Sequence, residues 1–310
     1  MGKLIKIGLA LGGGGARGLA HLGVLCALEQ EGIPIDRIAG TSMGSLIAGL
    51  YAHSPRCAIA VERFRRYLES QEFLKTNPDF LFNHIDDLSG YQGIFHRFAS
   101  LIKKGIFYTQ SLTKRAPISE ENFAQNINFL LDDVQIEESR IPLAIVALDL
   151  KSGQEVILNK GSLRKAVSAS CAIPGILSPV KVGDQELVDG GWINRVPVRP
   201  VKAMGADFVI AVIGAEGPDD SEDCQTGLGI VMRTNEIVRC ALSQLQMEEA
   251  DIILRPDVSS VHWADFRRLD ECLRAGEQAA LGQMDDIRRG IKRKKLRKFF
   301  HFPFRLQSSY

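Results

Sequence analysis

The chain predicts an α/β fold: a mainly parallel central sheet between two layers of helices, with an aromatic-rich cap inserted beside it. Three observations carry this. Short apolar runs ending in glycine alternate with stretches of helical spacing from the first residues onward. At 310 residues, with 45% hydrophobic and 24% charged residues, the chain can bury a sizeable core and has a globular composition. The stretch from Phe73 to Tyr108 holds eight of the Phe and Tyr residues, which reads as a cap over the sheet edge or as a satellite core under a loop.

Taken in order, "KIGLALG" (Lys6–Gly12) is a short strand stopped by glycines. Leu19, Leu22, Leu25 and Leu28 then recur every three residues before Gly32, which predicts a helix. "IDRIAGTS" is a second short strand, and "MGSLIAGLYAH" a second helix running towards Pro55. Further strands are expected at Ile141–Leu150, Gln154–Leu158, Gln185–Gly190, Asp207–Gly214 and Asp251–Val258. A helix is expected over "GLGIVMRTNEIVRCALSQLQMEEA". From Trp263 onward, Phe266, Leu269, Leu273, Ala280, Met284, Ile287 and Ile291 predict one long amphipathic helix. In such folds ligands sit at the carboxyl ends of the strands.

Composition excludes several classes. A net charge of +1 supplies no global field to recruit nucleic acid, and no apolar run approaches the roughly 18 residues of a membrane span. The start, "MGKLIKIGLALGGGGARGLAHLG", imitates a signal peptide, but glycines break its apolar run and Arg17 and His21 follow at once. The six cysteines (Cys26, Cys57, Cys171, Cys224, Cys240 and Cys272) are scattered without paired spacing, and are read as buried free thiols of a cytoplasmic protein. There is no H-E-x-x-H and no histidine cluster, so neither metal nor other cofactor is expected.

Chemistry is concentrated in three glycine-flanked turns. In "GGGGARG", Gly13, Gly15 and Gly18 satisfy G-x-G-x-x-G between a strand and a helix, so a nucleotide-binding module is one reading. A dinucleotide fold also wants an acid at the end of the second strand; here that strand ends in "GTS", and Asp36 stands at its beginning. The other reading is a loop whose backbone N–H groups face a developing oxyanion at a helix N-terminus. Arg17 either holds this loop, attracts an anionic head group or is a plain surface charge. In "GTSMG", Ser42 stands between a strand and a helix, with Gly40 and Gly44 leaving room for close backbone approach. Ser42 is either a nucleophile on a strained elbow, with the Met43 N–H joining the oxyanion site, or the N-cap of the helix.

A nucleophilic serine needs a base. His262 alone among the histidines comes late enough in the chain for the common Ser, acid, His order and also lies near a strand end, and it is the weaker candidate. Asp189, in "LVDGGWINRVP", ends a short apolar strand and precedes Gly190 and Gly191. Burial there would raise its pKa towards that of a useful base. Asp-Gly-Gly is also a turn signal in its own right.

Together the motifs "GLALGGGGARGLAHLGVL", "IAGTSMGSLIAGLYA", "LRKAVSASCAIPGILSPV" and "LVDGGWINRVPV" resemble the patatin-like phospholipase family, at lower density from about Ile5 to Leu281. The resemblance implies a Ser–Asp dyad in place of a triad, with Ser42 as nucleophile and Asp189 as proton acceptor. It implies an oxyanion hole from the loop Gly13, Gly14, Gly15, Ala16, Arg17 and Gly18, and lipid ester substrates. Plant members open the glycine loop with Asp where this chain has Gly12, and many members carry D-G-A where it has D-G-G. The implied domain covers 1–287 with the cap at about 70–130, leaving a tail at 288–310. The resemblance also implies that "SASCAIPGILSPV" is a site-shaping loop; from its residues alone it reads as a Pro-rich structural loop after a short helix. The tail, "RRGIKRKKLRKFFHFPF", is strongly basic and then aromatic, and is read either as a peripheral contact at the inner face of the membrane through 288–304 or as a solvated, frayed end. A non-catalytic regulatory protein on the same fold is the third alternative, and oligomeric state is not legible.

Overall fold

The computed structural model describes residues 5–75, 119–214 and 227–300. Among them, eight strands form one sheet: β1 (Ile7–Leu11), β2 (Arg37–Thr41), β3 (Leu143–Asp149), β4 (Glu155–Leu158), β5 (Val180–Val182), β6 (Gln185–Asp189), β7 (Phe208–Val212) and β8 (Ile252–Leu254). The order is β5-β6-β3-β2-β1-β7-β8, with β4 also paired to β3. The run β3-β2-β1-β7-β8 is parallel, whereas β4, β5 and β6 pair antiparallel. β1 and β7 are buried along their whole length, which is why they read as continuous apolar runs.

The helices are α1 (Ala20–Gln30), α2 (Met43–His53), α3 (Cys57–Leu68), α4 (Gln71–Lys75), α5 (Glu120–Leu130), α6 (Leu163–Ser170), α7 (Val198–Ala203), α8 (Gly227–Met247), α9 (Leu269–Gly282) and α10 (Met284–Phe300). Strand residues of alternating parity face opposite layers. Leu9, Leu11, Ile38 and Ile145 pack with α1, α2, α3 and α9. Ala10, Ala39 and Ala144 face the other way, against Val198 and Val201 of α7 and Met247 of α8. Small residues on that face let α7 lie close to the sheet, and the three-layer architecture follows.

Two sequence expectations need correction. The long closing helix is divided at Gln283, so that α9 and α10 are separate, and a short 3-10 turn at Phe266–Arg268 precedes them. The cysteines are not all free: Cys26 of α1 and Cys57 at the start of α3 form a disulfide with Cα atoms 5.1 Å apart. The pair is 31 residues apart and has no spacing signature, because only the packing of α1 on α3 brings it together.

Most of the aromatic-rich stretch lies outside the described residues. Its first member, Phe73, is buried edge-on against Tyr67, and Tyr67 also meets Phe129 of α5. The boundary expected at 287 falls inside α10, where Ile287 and Ile291 are buried. No helix among the described residues is long and apolar enough to cross a membrane.

One register places the site. Val146 of β3 pairs with Thr41 of β2 on one edge and Ile157 of β4 on the other. The next residue, Ala147, pairs with Val156 of β4 and with Asp189 of β6. β2 and β6 therefore lie on the same edge of β3 and run towards each other, so that their ends abut. The residue after Thr41 is Ser42.

Candidate functional site

Ser42 leaves β2 on a sharp turn with φ 53° and ψ −126°, the one positive φ among described non-glycine residues. Such backbone costs of order 1–3 kcal/mol and persists only where its surroundings hold it. Here they do. The Ser42 N–H donates to Ser170 Oγ at 2.9 Å, and Ser170 Oγ donates to the Val146 carbonyl at 2.6 Å. The Ser42 carbonyl accepts from Ser45 N at 2.8 Å and Ser45 Oγ at 2.6 Å. A Cβ at Gly44 would lie 2.2 Å from the Leu11 carbonyl oxygen, and one at Gly40 would lie 2.3 Å from that of Gly44, so the crossing of elbow and β1 requires glycine at both. Ser42 occupies the N-cap position of α2, but its side chain makes no capping hydrogen bond.

Its hydroxyl instead lies close enough to the Asp189 carboxylate to lower that group's pKa. Both residues are buried. Asp189 is fixed by its own N–H, which donates to the Ala172 carbonyl at 2.9 Å, and by the Gly191 N–H, which donates to Oδ1 at 2.7 Å. At Gly190 a Cβ would stand 2.4 Å from the Val146 carbonyl oxygen, so the turn after Asp189 also depends on glycine. Burial pushes the Asp189 pKa up; the Ser42 hydroxyl, the hydrogen bond from Gly191 and the charges of Arg239 and Arg195 pull against that rise.

The glycine loop lies against Ser42: a Cβ on Gly13 would be 3.2 Å from Ser42 Cβ. Two of its N–H groups are already engaged. Gly13 donates to the Arg195 carbonyl at 2.9 Å and Ala16 to the Trp263 carbonyl at 2.6 Å. Gly18, within the 3-10 turn Gly15–Leu19, packs on Met43, where a Cβ would stand 2.7 Å from Cγ. Gly14 and Gly15 continue the same loop, and Met43 follows Ser42 at the start of α2. Arg17 holds the loop, donating from Nε to the Val261 carbonyl at 2.6 Å. His21 supports it from beneath, donating from Nε2 to the Gly12 carbonyl at 2.7 Å; complete burial lowers its pKa to about 4, so it is neutral.

Three supports escaped the sequence. Ser170, in the segment whose residues alone read as structural, accepts from the Ser42 N–H. Arg195 lies behind the glycine loop, its Nε 3.4 Å from the Gly13 carbonyl and its Nη1 3.3 Å from Glu236 of α8. Arg239 of α8 bridges to the same Glu236 at 3.1 Å and stacks on Trp192 at 4.4 Å. No motif spacing links α8 to the DGG turn, and only tertiary packing shows it. His262 accepts from the Ala264 N–H at its Nδ1 (3.3 Å) and lies beside Trp263; it is not among the groups that shift Asp189.

A strained strand-to-helix serine at the carboxyl edge of a three-layer sheet is the layout of hydrolase-type α/β folds. The profile described as patatin-like phospholipase matches residues 9–202, and the chain belongs to that family. It is 31% identical over 209 residues to an uncharacterized NTE family protein of Mycobacterium tuberculosis, covering 67% of this chain and 48% of that one. It is 32% identical over 218 residues to human patatin-like phospholipase domain-containing protein 6, covering 69% of this chain and 14% of that one. Over 209 residues it is 32% identical to the lysophospholipase NTE1 of Mycosarcoma maydis (67% and 10% covered). The chain thus spans about half the length of the mycobacterial relative and much less of the others. Human GIVD cytosolic phospholipase A2 shares the fold, with a TM-score of 0.52 at 12% identity over 95% of this chain and 61% of that one.

Proposed function

We propose that this protein is a serine acyl hydrolase of lipid carboxyl esters, of the phospholipase A or lysophospholipase type, working through a Ser42–Asp189 dyad. The observation that carries the proposal is a buried serine on a strained elbow set by sheet register beside a buried aspartate. Ser42 Oγ attacks the ester carbonyl while Asp189 accepts its proton. The oxyanion forms against the glycine loop, which lies beside Ser42, with the Gly14, Gly15 and Met43 N–H groups as its donors. Asp189 returns the proton to the leaving alcohol, and the acyl group stays on Ser42. Water, deprotonated by Asp189, then releases the fatty acid. The named activity of the fungal relative supports the lipid ester class.

The nucleotide-binding alternative asks the same loop to cradle phosphates. The Gly13 and Ala16 N–H groups are already bonded to carbonyl oxygens, and a Cβ at Gly15 would meet the Trp263 carbonyl oxygen at 2.3 Å, which weighs against it. Fatty-acid release from a panel of phospholipids and lysophospholipids, by wild type and Ser42→Ala, tests the proposal. Release by the wild type that vanishes in the variant supports it; release by neither, or by both, contradicts it.

A further inference from the structure

The outward face of α8 is built the wrong way round for a helix facing water. Every residue exposed within α8 is uncharged, and Ile230, Val231, Ile237, Val238, Leu242 and Leu245 make it a stripe of large aliphatics. Ile230 and Ile237 repeat at seven residues, as do Val231, Val238 and Leu245, so the stripe follows one side of the helix. Val231 is 62% exposed and Leu245 60%. Of the charged residues of α8, Arg233 is half-buried, and Glu236 and Arg239 are turned inward, to Arg195 and Trp192. A contiguous exposed apolar stripe of this kind marks a surface that meets something other than water.

Its position says what. The inner side of α8 rests on the segment that carries Asp189: Glu236 holds Arg195, Arg239 covers Trp192, and Gln246 Nε2 donates to the Ile193 carbonyl at 2.7 Å. The stripe is therefore the outer side of the helix that walls the candidate site. The basic helix α10 is placed differently. Lys298 pairs with Asp207 at 2.6 Å and Lys294 with Asp251 at 2.9 Å, and these aspartates precede β7 and β8. That is the amino-end edge of the parallel strands, opposite the edge where Ser42 sits, so a membrane held there would face away from the serine.

We propose that the outward face of α8, from Ile230 to Leu245, is the surface on which this protein seats itself at a lipid aggregate, with its aliphatic side chains among the acyl chains. The proposal rests on the acyl-hydrolase reading for the reason a lipid surface should lie beside this site. Because the stripe is uncharged, seating does not need anionic lipid.

The test uses the full chain and vesicles of phosphatidylcholine alone. Binding is measured by co-sedimentation with Ser42→Ala, with and without Val231→Glu, Val238→Glu and Leu245→Glu together. The same three substitutions in the Ser42 protein are assayed on p-nitrophenyl butyrate, a monomeric ester. Expected are vesicle binding by the parent, at least a tenfold loss in the triple variant, and unchanged turnover of the soluble ester. Retained binding in the triple variant overturns the proposal, as does absence of parent binding, or a parent dimer that the triple variant converts to monomer in sedimentation equilibrium. Vesicle binding that depends on the stripe, in a protein that cleaves no ester, would sink the hydrolase reading and leave the docking surface standing.

Discussion

Ser42 stands beside Asp189 because two strands end against each other on one edge of β3, Thr41 pairing with Val146 and Asp189 with Ala147. The proposed dyad is thus set by sheet register, and the groups around it should be readable through its behaviour.

The first consequence concerns pH. Asp189 accepts a proton only when ionised, and burial has raised its pKa above the ordinary carboxylate value of 3.8. Turnover of a soluble ester should therefore fall with decreasing pH through a limb lying above that value. Arg239 holds the Asp189 pKa down by its charge. Arg239→Gln should move the limb to higher pH; a limb that stays in place would show that Asp189 is not the titrating group.

Ser170 bonds both the Ser42 N–H and the Val146 carbonyl. Ser170→Ala leaves both buried groups unpaired, at a cost of about 1–3 kcal/mol in stability. Because the elbow loses its anchor, kcat should drop on the order of tenfold or more, with KM little changed. Urea unfolding and steady-state kinetics on the same variant check the two effects.

His21 gives a stability signal. Its pKa is about 4 in the folded protein against 6.5 for the free side chain, so below 6.5 the unfolded chain binds a proton that the folded one does not. Stability is complete above pH 6.5 and declines as pH falls towards 4, by about 3 kcal/mol in all. His21→Gln should flatten that part of the curve, as measured by urea midpoints between pH 4 and 7.

The Cys26–Cys57 disulfide closes a loop of 31 residues. Cys57→Ser should cost about 2–4 kcal/mol, and reductant should bring the wild type down to the variant's midpoint while leaving the variant unmoved.

Much of this was legible in the chain. Apolar runs punctuated by glycine located the buried parallel strands, because a strand covered on both faces has no polar residue to disguise it. Ser42, Asp189 and their flanking glycines were legible because close backbone approach excludes a Cβ there, and the family resemblance rests on the same turns. What escaped depends on distant packing. Ser170 sits 128 residues from the N–H it accepts. Cys26 and Cys57 meet only through α1 and α3. The spacing after Trp263 kept its helical period straight through Gly282 and Gln283, where the backbone breaks, since period reports which side is buried and says little about continuity.

The most direct test of the dyad is the mass of the intact protein after exposure to a fluorophosphonate. The wild type should gain one adduct, mapped to Ser42, Ser42→Ala should gain none, and Asp189→Asn should react at least about 100-fold more slowly. An adduct that persists in Ser42→Ala, or wild-type labelling in Asp189→Asn, would contradict it.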